Sequence, residues 1–358
     1  MLCPLTYYDA VSQQDDTRFS GSARAHSIIG SLLAVHSPNV MDTQYCFDTI
    51  TSSCMKTKRS SFEHNIIYIF VLLLSVWTVF LNLLVIISIS HFKKLHTPTN
   101  LIILSLAVAD MLIGFVMPIE AFRLIEMCSY FGGSFCALYI VFLTVLFSVS
   151  LSNIVLIAFD RFVAVCQPLL YPQKITTTKT LMSICLCWVC SSAYNTAFVI
   201  NTGNLDASNR RDVMTGFVWR VADLFVAFIF PCILIITLYM RIFYVVHRHV
   251  KVINLLMKGG KCLIEGSVKR KSESKAALTL GVIVAVYLLC WIPYYISSIS
   301  VASSTTKNIL TWVTYTNSSL NPLIYALFYP WFRRTVKHIL TLKIFHPASS
   351  LVNIFTDH

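Results

Sequence analysis

Asp110 is stranded in the apolar run Leu104-Ser-Leu-Ala-Val-Ala-Asp110, while Asn82, Asn317, Ser318 and Asn321 fall inside other apolar runs. Ionisable and amide groups at such positions are costly to place and usually functional. Together they make either a water-filled polar cluster, with Asp110 as its charge and a sodium ion as counter-charge, or a hydrogen-bond glue between helices. A second set, Asp160-Arg161-Phe162, closes the third apolar run. Arg161 can pair with Asp160 and with Glu273 from another helix, or it can simply anchor its own helix at an interface. A third set is acidic. Asp223 stands eight residues before Pro231, and Glu120 two residues after Pro118. At ~1.5 Å per residue, Asp223 sits about 12 Å from that proline, the depth of an outward-facing pocket. It is then a ligand carboxylate, or else a charge neutralised by Arg220 one turn earlier. Glu120 is the weaker candidate, because Arg123 can satisfy it. No nucleophile–base pair and no metal-ligand spacing occurs among these runs, which argues against an enzyme.

The elements that must position these groups are set by composition. The chain has 358 residues, 56% hydrophobic and only 12% charged, with a mean hydropathy of +0.70. A soluble domain carries roughly 25% charged residues, so this chain belongs in a membrane. Apolar windows of about 20 residues occur seven times, near 66–91, 99–125, 134–165, 180–200, 217–245, 275–300 and 308–329. The expected fold is an all-α bundle of seven transmembrane helices. Most of the 28 Lys and Arg fall in alternate connections and in the tail, including the run Lys269-Arg270-Lys271. By the positive-inside rule this puts the N-terminus outside and the C-terminus in the cytoplasm. These charges flank apolar spans instead of lining one surface, so a nucleic-acid partner is excluded.

Three regions follow: a polar extracellular segment 1–65, the bundle 66–329, and a cytoplasmic stretch 330–358. Met41 leaves a leader of family-like length before the first span, so residues 1–40 are expected to be dispensable. Pro330-Trp331-Phe332-Arg333-Arg334 opens an amphipathic stretch with Val336, Ile339 and Leu340 on its apolar face, which reads as an interfacial helix in contact with lipid. Pro118, Pro231, Pro293 and Pro322 interrupt helical runs and permit kinks. No internal repeat of a transporter kind is apparent. A channel or transporter would also need a polar stripe through the bundle, whereas polar residues here cluster at the middle and one end. Of the 12 cysteines, Cys166, Cys185, Cys187, Cys190, Cys232 and Cys290 lie in or beside apolar runs and act as small hydrophobes.

Asn82, Leu106-Ala-Val-Ala-Asp110, Asp160-Arg161-Phe162, Trp188, Cys290-Trp-Ile-Pro293 and Asn321-Pro-Leu-Ile-Tyr325 occur in order, one set per span. The chain resembles a rhodopsin-like G-protein-coupled receptor from about residue 66 to 341. The stretch Asn317-Ser-Ser-Leu-Asn-Pro-Leu-Ile-Tyr-Ala-Leu-Phe-Tyr-Pro-Trp-Phe332 is similar to the helix 7 fingerprint of trace-amine-associated receptors. Leu95-His-Thr-Pro-Thr-Asn-Leu and Tyr45-Cys-Phe also look like that family, its fish members in particular. The resemblance implies a plasma-membrane, multi-pass receptor for small amines, coupled to a heterotrimeric G protein of the stimulatory class and serving chemosensation. It assigns Asp160, Arg161, Glu273, Tyr239, Asn321, Pro322 and Tyr325 to activation and coupling. The sodium ion expected near Asp110, Asn317 and Asn321 rests on the polar cluster itself, and no other cofactor is expected.

The sequence departs from the family where ligand recognition is concerned. Receptors for amines usually carry an Asp on helix 3, seven residues after the outer cysteine; counted from Cys136, that position is Leu143. Leucine cannot pair with an ammonium ion, so the usual anchor is absent. Some fish members carry an Asp at the helix 5 position of Asp223 and are thought to grip amines there. Trp291, Tyr294, Tyr295, Trp312 and Tyr315 complete a pocket whose aromatic faces attract cations, or are ordinary packing at helical spacing. A receptor that has lost amine binding is the alternative. Family members also bond the cysteine opening helix 3 to one in the loop before helix 5. Residues 201–216 contain no cysteine, which leaves Cys136 free or paired with Cys128, Cys46 or Cys54. Two further departures are Leu81 before Asn82, in place of Gly, and Tyr287 where an aromatic partner of Trp291, usually Phe, is expected.

Overall fold

The computed structural model describes residues 61–126, 133–203, 210–258, 281–297 and 303–346. Within them the regular elements are all helical. Four long helices come first: Ser61–His91 (α1), Pro98–Glu126 (α2), Gly133–Cys166 (α3) and Thr177–Gly203 (α4). α5 is composite, running as Arg210–Asp223, a π-helical stretch Leu224–Ile229 and Phe230–Lys258. Gly281–Ser297 forms α6, Ser304–Phe328 forms α7 and Pro330–Leu340 forms α8. Glu273, Cys46, Cys54, Cys128, Met41 and the rest of residues 1–60 lie outside the described residues, as do the side chains of Cys136 and Arg123.

Among the described residues, five helices are long and apolar enough to cross a membrane, and α6 adds a shorter apolar one. α7 has the length but interrupts its apolar residues with Thr, Ser and Asn. The apolar windows located the spans but ran short at both ends of α4 and α5. Hydropathy marks only the lipid-facing length, and the helices continue through polar turns that water can reach.

Two faces of each helix explain the assembly. Leu72, Leu73, Val76, Trp77 and Phe80 of α1, and Met182, Leu186 and Val189 of α4, are exposed. A belt of large apolar side chains on the outside is what a bilayer requires, because only helices satisfy their backbone groups within it. Inward, α3 is the central element, touching α2, α4 and α5, while α7 packs on α1 and α2. α1 and α2 approach closely at Gly114. A Cβ built there would stand 2.9 Å from Val79 Cγ2, and Ser75 Oγ donates to the Gly114 carbonyl at 2.8 Å. Small residues at such a seam permit backbone contact in a setting where no hydrophobic gain separates protein from lipid. Cys166, Cys185, Cys187, Cys190, Cys232 and Cys290 are free thiols, in keeping with their apolar settings.

In α8 the bundle-facing residues are Trp331, Phe332 and Thr335, joined by Val336 and Ile339, while Leu340 is exposed on the outer side. The helix is wedged against α1, with Phe92 edge-on to His338 at 6.2 Å. Its apolar stripe is therefore partly spent on protein contact. Arg333 Nη1 donates to the carbonyls of Ala326 and Leu327, satisfying two end groups of α7 that the proline turn leaves open.

Candidate functional site

Asp110 is fully buried, at 0% exposure, and is bonded across the bundle. Asn321 Nδ2 of α7 donates to its Oδ2 at 2.8 Å and Ser150 Oγ of α3 to its Oδ1 at 3.2 Å. Asn82 Nδ2 donates to the carbonyls of Thr78 and Ser318, and Thr78 shares a hydrogen with Ser319 at 2.8 Å. Three helices thus converge on one carboxylate. Asn82 Oδ1, Asn321 Oδ1 and Asn317 Nδ2 are buried with no hydrogen-bond partner among the described residues. The cluster therefore works as helix-to-helix glue and still holds polar atoms in reserve, which suits it to water or a small cation.

At one end of α3, Arg161 is tied to its neighbour. Its Nε donates to Asp160 Oδ2 at 2.9 Å, and its Nη2 donates to Asp160 and to Thr99 Oγ1. Thr99 donates in turn to Asp160 Oδ2 at 2.8 Å, and Tyr171 Oη donates to Asp160 Oδ1 at 3.0 Å. Tyr171 belongs to a short helical turn, Tyr171–Lys174, in the α3–α4 connection. Burial, with the Asp160 carboxylate beside it, pushes the Tyr171 phenol above its ordinary range, so it stays a donor at neutral pH. Thr99 and Tyr171 were not singled out in the sequence. Their only signal was a hydroxyl just inside α2 and a tyrosine in a short loop. Tyr239, Tyr325 and Pro322 lie in this half of the bundle, and the Tyr239 and Tyr325 hydroxyls are buried without a partner among the described residues.

Toward the opposite end lie the expected ligand residues. Tyr294 and Tyr295 pack on Trp291 at 6.0 Å each, and Tyr287 stacks beneath it at 5.6 Å. Trp312 packs on Tyr315 at 5.4 Å. Phe147 of α3 joins the two groups, edge-on to Trp291 at 5.0 Å and to Tyr315 at 5.3 Å. Phe147 was missed in the sequence. It lies one turn from Leu143, so Tyr139, Leu143 and Phe147 share a face of α3. Leu143 itself is half-buried against a cluster containing Ile113, Met117 and Tyr315. Phe228, inside the π-helical stretch, stacks on Tyr295 at 4.2 Å and ties α5 to α6.

The two acids of this half are kept apart. Glu120 is buried at 2% exposure and accepts from Tyr139 Oη at 2.8 Å, within the α2–α3 seam. Asp223 is half-buried and accepts from Tyr194 Oη of α4 at 3.0 Å. The expected contest between an incoming ligand and Arg220 thus has a third participant that a one-helix reading could not find. The π-helical turn, whose Phe230 N–H reaches back to the Phe225 carbonyl, also offsets Asp223 from the direction a regular α-helix gives it relative to Pro231.

A family model described as "7 transmembrane receptor (rhodopsin family)" matches residues 81–325. The chain is 38% identical over 333 residues to trace amine-associated receptor 13c of Danio rerio, covering 88% of this chain and 97% of that one. It is 36% identical over 333 residues to trace amine-associated receptor 9 of Mus musculus, covering 88% and 95%. Trace amine-associated receptor 6 of Homo sapiens is 36% identical over 345 residues, covering 91% and 100%.

Proposed function

This chain belongs to the rhodopsin family of seven-transmembrane receptors and, within it, to the trace amine-associated receptors; from that premise we propose that it binds a small amine and signals through a heterotrimeric G protein. It is a multi-pass plasma-membrane receptor and not an enzyme. The observation that carries the amine reading is the setting of Asp223. Its carboxylate is half-buried and accepts a hydrogen bond from a phenol, a partner that orients it without itself bringing a positive charge. The nearby π stretch leads through Phe228 and Tyr295 to Trp291. An ammonium at Asp223 would therefore be continuous with cation-attracting ring faces, each worth about 0.5–2 kcal/mol. Glu120, engaged by Tyr139, is the reserve anchor.

Signal output is assigned to the other end. With the N-terminus outside, Asp223 faces the exterior and Arg161 the cytoplasm. Binding favours one packing of α5, α6 and α7 over another. α6 then swings outward, and Arg161 leaves Asp160 and Thr99 for a cavity that takes a G-protein helix. Glu273 would strengthen the resting state by pairing with Arg161. The reading carries with it a stimulatory G protein and a chemosensory setting, as the family resemblance implies. At Asp110, the donor set fits sodium: the carboxylate, the Ser150 hydroxyl and the buried Asn321 Oδ1 are oxygen atoms of the type hard cations take.

The test is a screen of mono- and diamines on surface-expressed receptor, with cyclic AMP and membrane current recorded together. An amine-evoked rise in cyclic AMP without ligand-gated current is the expected result. Silence across the panel at full surface expression would favour a receptor that no longer binds amines, and current would point to a channel.

A further inference from the structure

The anchor proposed above sits where its helix changes pattern. Asp223 is the last residue before the π-helical stretch Leu224–Ile229, and its own backbone keeps α-helical angles, φ −61° and ψ −45°. The direction of its carboxylate therefore depends on what the side chain meets. Its hydrogen bond comes from a neighbour that is well fixed. Tyr194 lies on α4, and the adjacent Asn195 Nδ2 donates to Ser148 Oγ of α3 at 2.9 Å and to the Ser191 carbonyl at 2.8 Å. Two turns earlier, Trp188 Nε1 donates to Ser105 Oγ of α2 at 3.1 Å. α4 is thereby pinned to both α2 and α3 beside the tyrosine. The ring is also held, because Tyr194 stacks with Phe198 at 6.5 Å, and Phe198 meets Trp219 of α5 edge-on at 6.4 Å.

We propose that Tyr194 is a positioning residue for amine recognition, its hydroxyl fixing the Asp223 carboxylate by one oxygen and leaving the other for the ligand's ammonium group. This rests on the reading of Asp223 as the amine anchor. A phenol suits the task because it orients the carboxylate without adding positive charge, as Arg or Lys in its place would. It also holds the carboxylate on the α4 side. Arg220, one turn back on the same helix, is the cation toward which a released Asp223 would turn. Tyr194 therefore governs both the direction of the anchor and its availability.

Tyr194→Phe keeps the ring, its stacking on Phe198 and its bulk, and removes only the donor. The measurement is a dose–response in cyclic AMP at matched surface expression, using the most potent primary amine from a panel of linear mono- and diamines. Four receptors are compared: wild type, Tyr194→Phe, Asp223→Asn and the double variant. Tyr194→Phe is expected to lower potency about tenfold with an unchanged maximal response, the loss typical of one hydrogen bond to a charged group. In the Asp223→Asn background the same change is expected to shift potency less than about twofold, since there is no charged anchor left to orient. A role in packing alone would instead produce equal losses in both backgrounds. Equal losses, or full potency in Tyr194→Phe, would overturn the positioning role while leaving the anchor intact. Full potency in Asp223→Asn would remove the anchor reading and this inference with it.

Discussion

Two aspartates inside the helical spans, Asp110 and Asp223, have opposite surroundings. Asp110 is sealed at 0% exposure and takes hydrogen bonds from α3 and α7. Asp223 is half-buried and takes one from α4. Beside Asp110, α1 is bonded to α7, from Thr78 to Ser319 and from Asn82 to the Ser318 carbonyl, so moving α7 disturbs contacts with α1, α2 and, through Asp110, α3. Around Asp223 the neighbour is an aromatic phenol, Tyr194, whose ring stacks with Phe198 and brings no second amide or carboxylate to the site. Under the proposed reading, the charge in the polar mesh couples helices and the charge beside the rings receives a cation. The same residue type is then separated in role by the side chains that surround it.

That contrast can be broken most directly at Asp223. Asp223→Asn is expected to weaken an amine agonist about 100-fold or more, because an ammonium ion in a partly dehydrated pocket loses its counter-charge. Basal signalling should stay the same. Full potency in a surface-expressed variant would move the anchor to Glu120. Next in size is the resting lock at the far end. Glu273→Ala should raise basal cyclic AMP about tenfold at equal surface expression, if Glu273 holds Arg161 in the inactive packing. Unchanged basal activity would leave Asp160, Thr99 and Tyr171 as the whole lock.

Adding charge sharpens the comparison from the other side. Leu143→Asp should create a second acidic point one turn from Phe147 and shift preference toward diamines over monoamines by about fivefold, read as the ratio of their potencies. A ratio that stays constant would mean Leu143 faces packing and not ligand. The smallest effect is expected at Asp110. Asp110→Asn should change amine potency by less than about threefold, while abolishing any shift seen when external sodium is replaced by potassium at constant ionic strength. A loss of potency as large as that of Asp223→Asn would erase the distinction between the two aspartates.

The sequence carried the fold because membrane burial writes itself into composition. Windows of about 20 apolar residues have few alternatives once backbone groups must be satisfied internally. It also carried the motif residues, since Asp110, Arg161 and Asn321 are polar groups in places where polarity is expensive. The ends of α4 and α5 were less legible, because turns beyond the lipid no longer need apolar side chains. The apolar stripe of α8 was legible too, but helical periodicity does not say how much of it meets lipid and how much meets protein, and Val336 and Ile339 pack on the bundle.

What tertiary structure alone decided is the company each charge keeps. On its own helix Asp223 had only Arg220 in view, whereas the bundle brings Tyr194 to it from α4. Arg161 had Asp160 beside it in sequence, but Thr99 and Tyr171 reach Asp160, and Thr99 also Arg161, only when α2 and the α3–α4 turn fold against α3. Phe147 became the link between the α6 and α7 aromatics for the same reason. A sequence specifies contacts three or four residues apart, since helical geometry is local. Contacts between helices depend on rotation about each axis and on depth in the membrane, which a π-helical turn such as Leu224–Ile229 can alter while the apolar pattern stays the same.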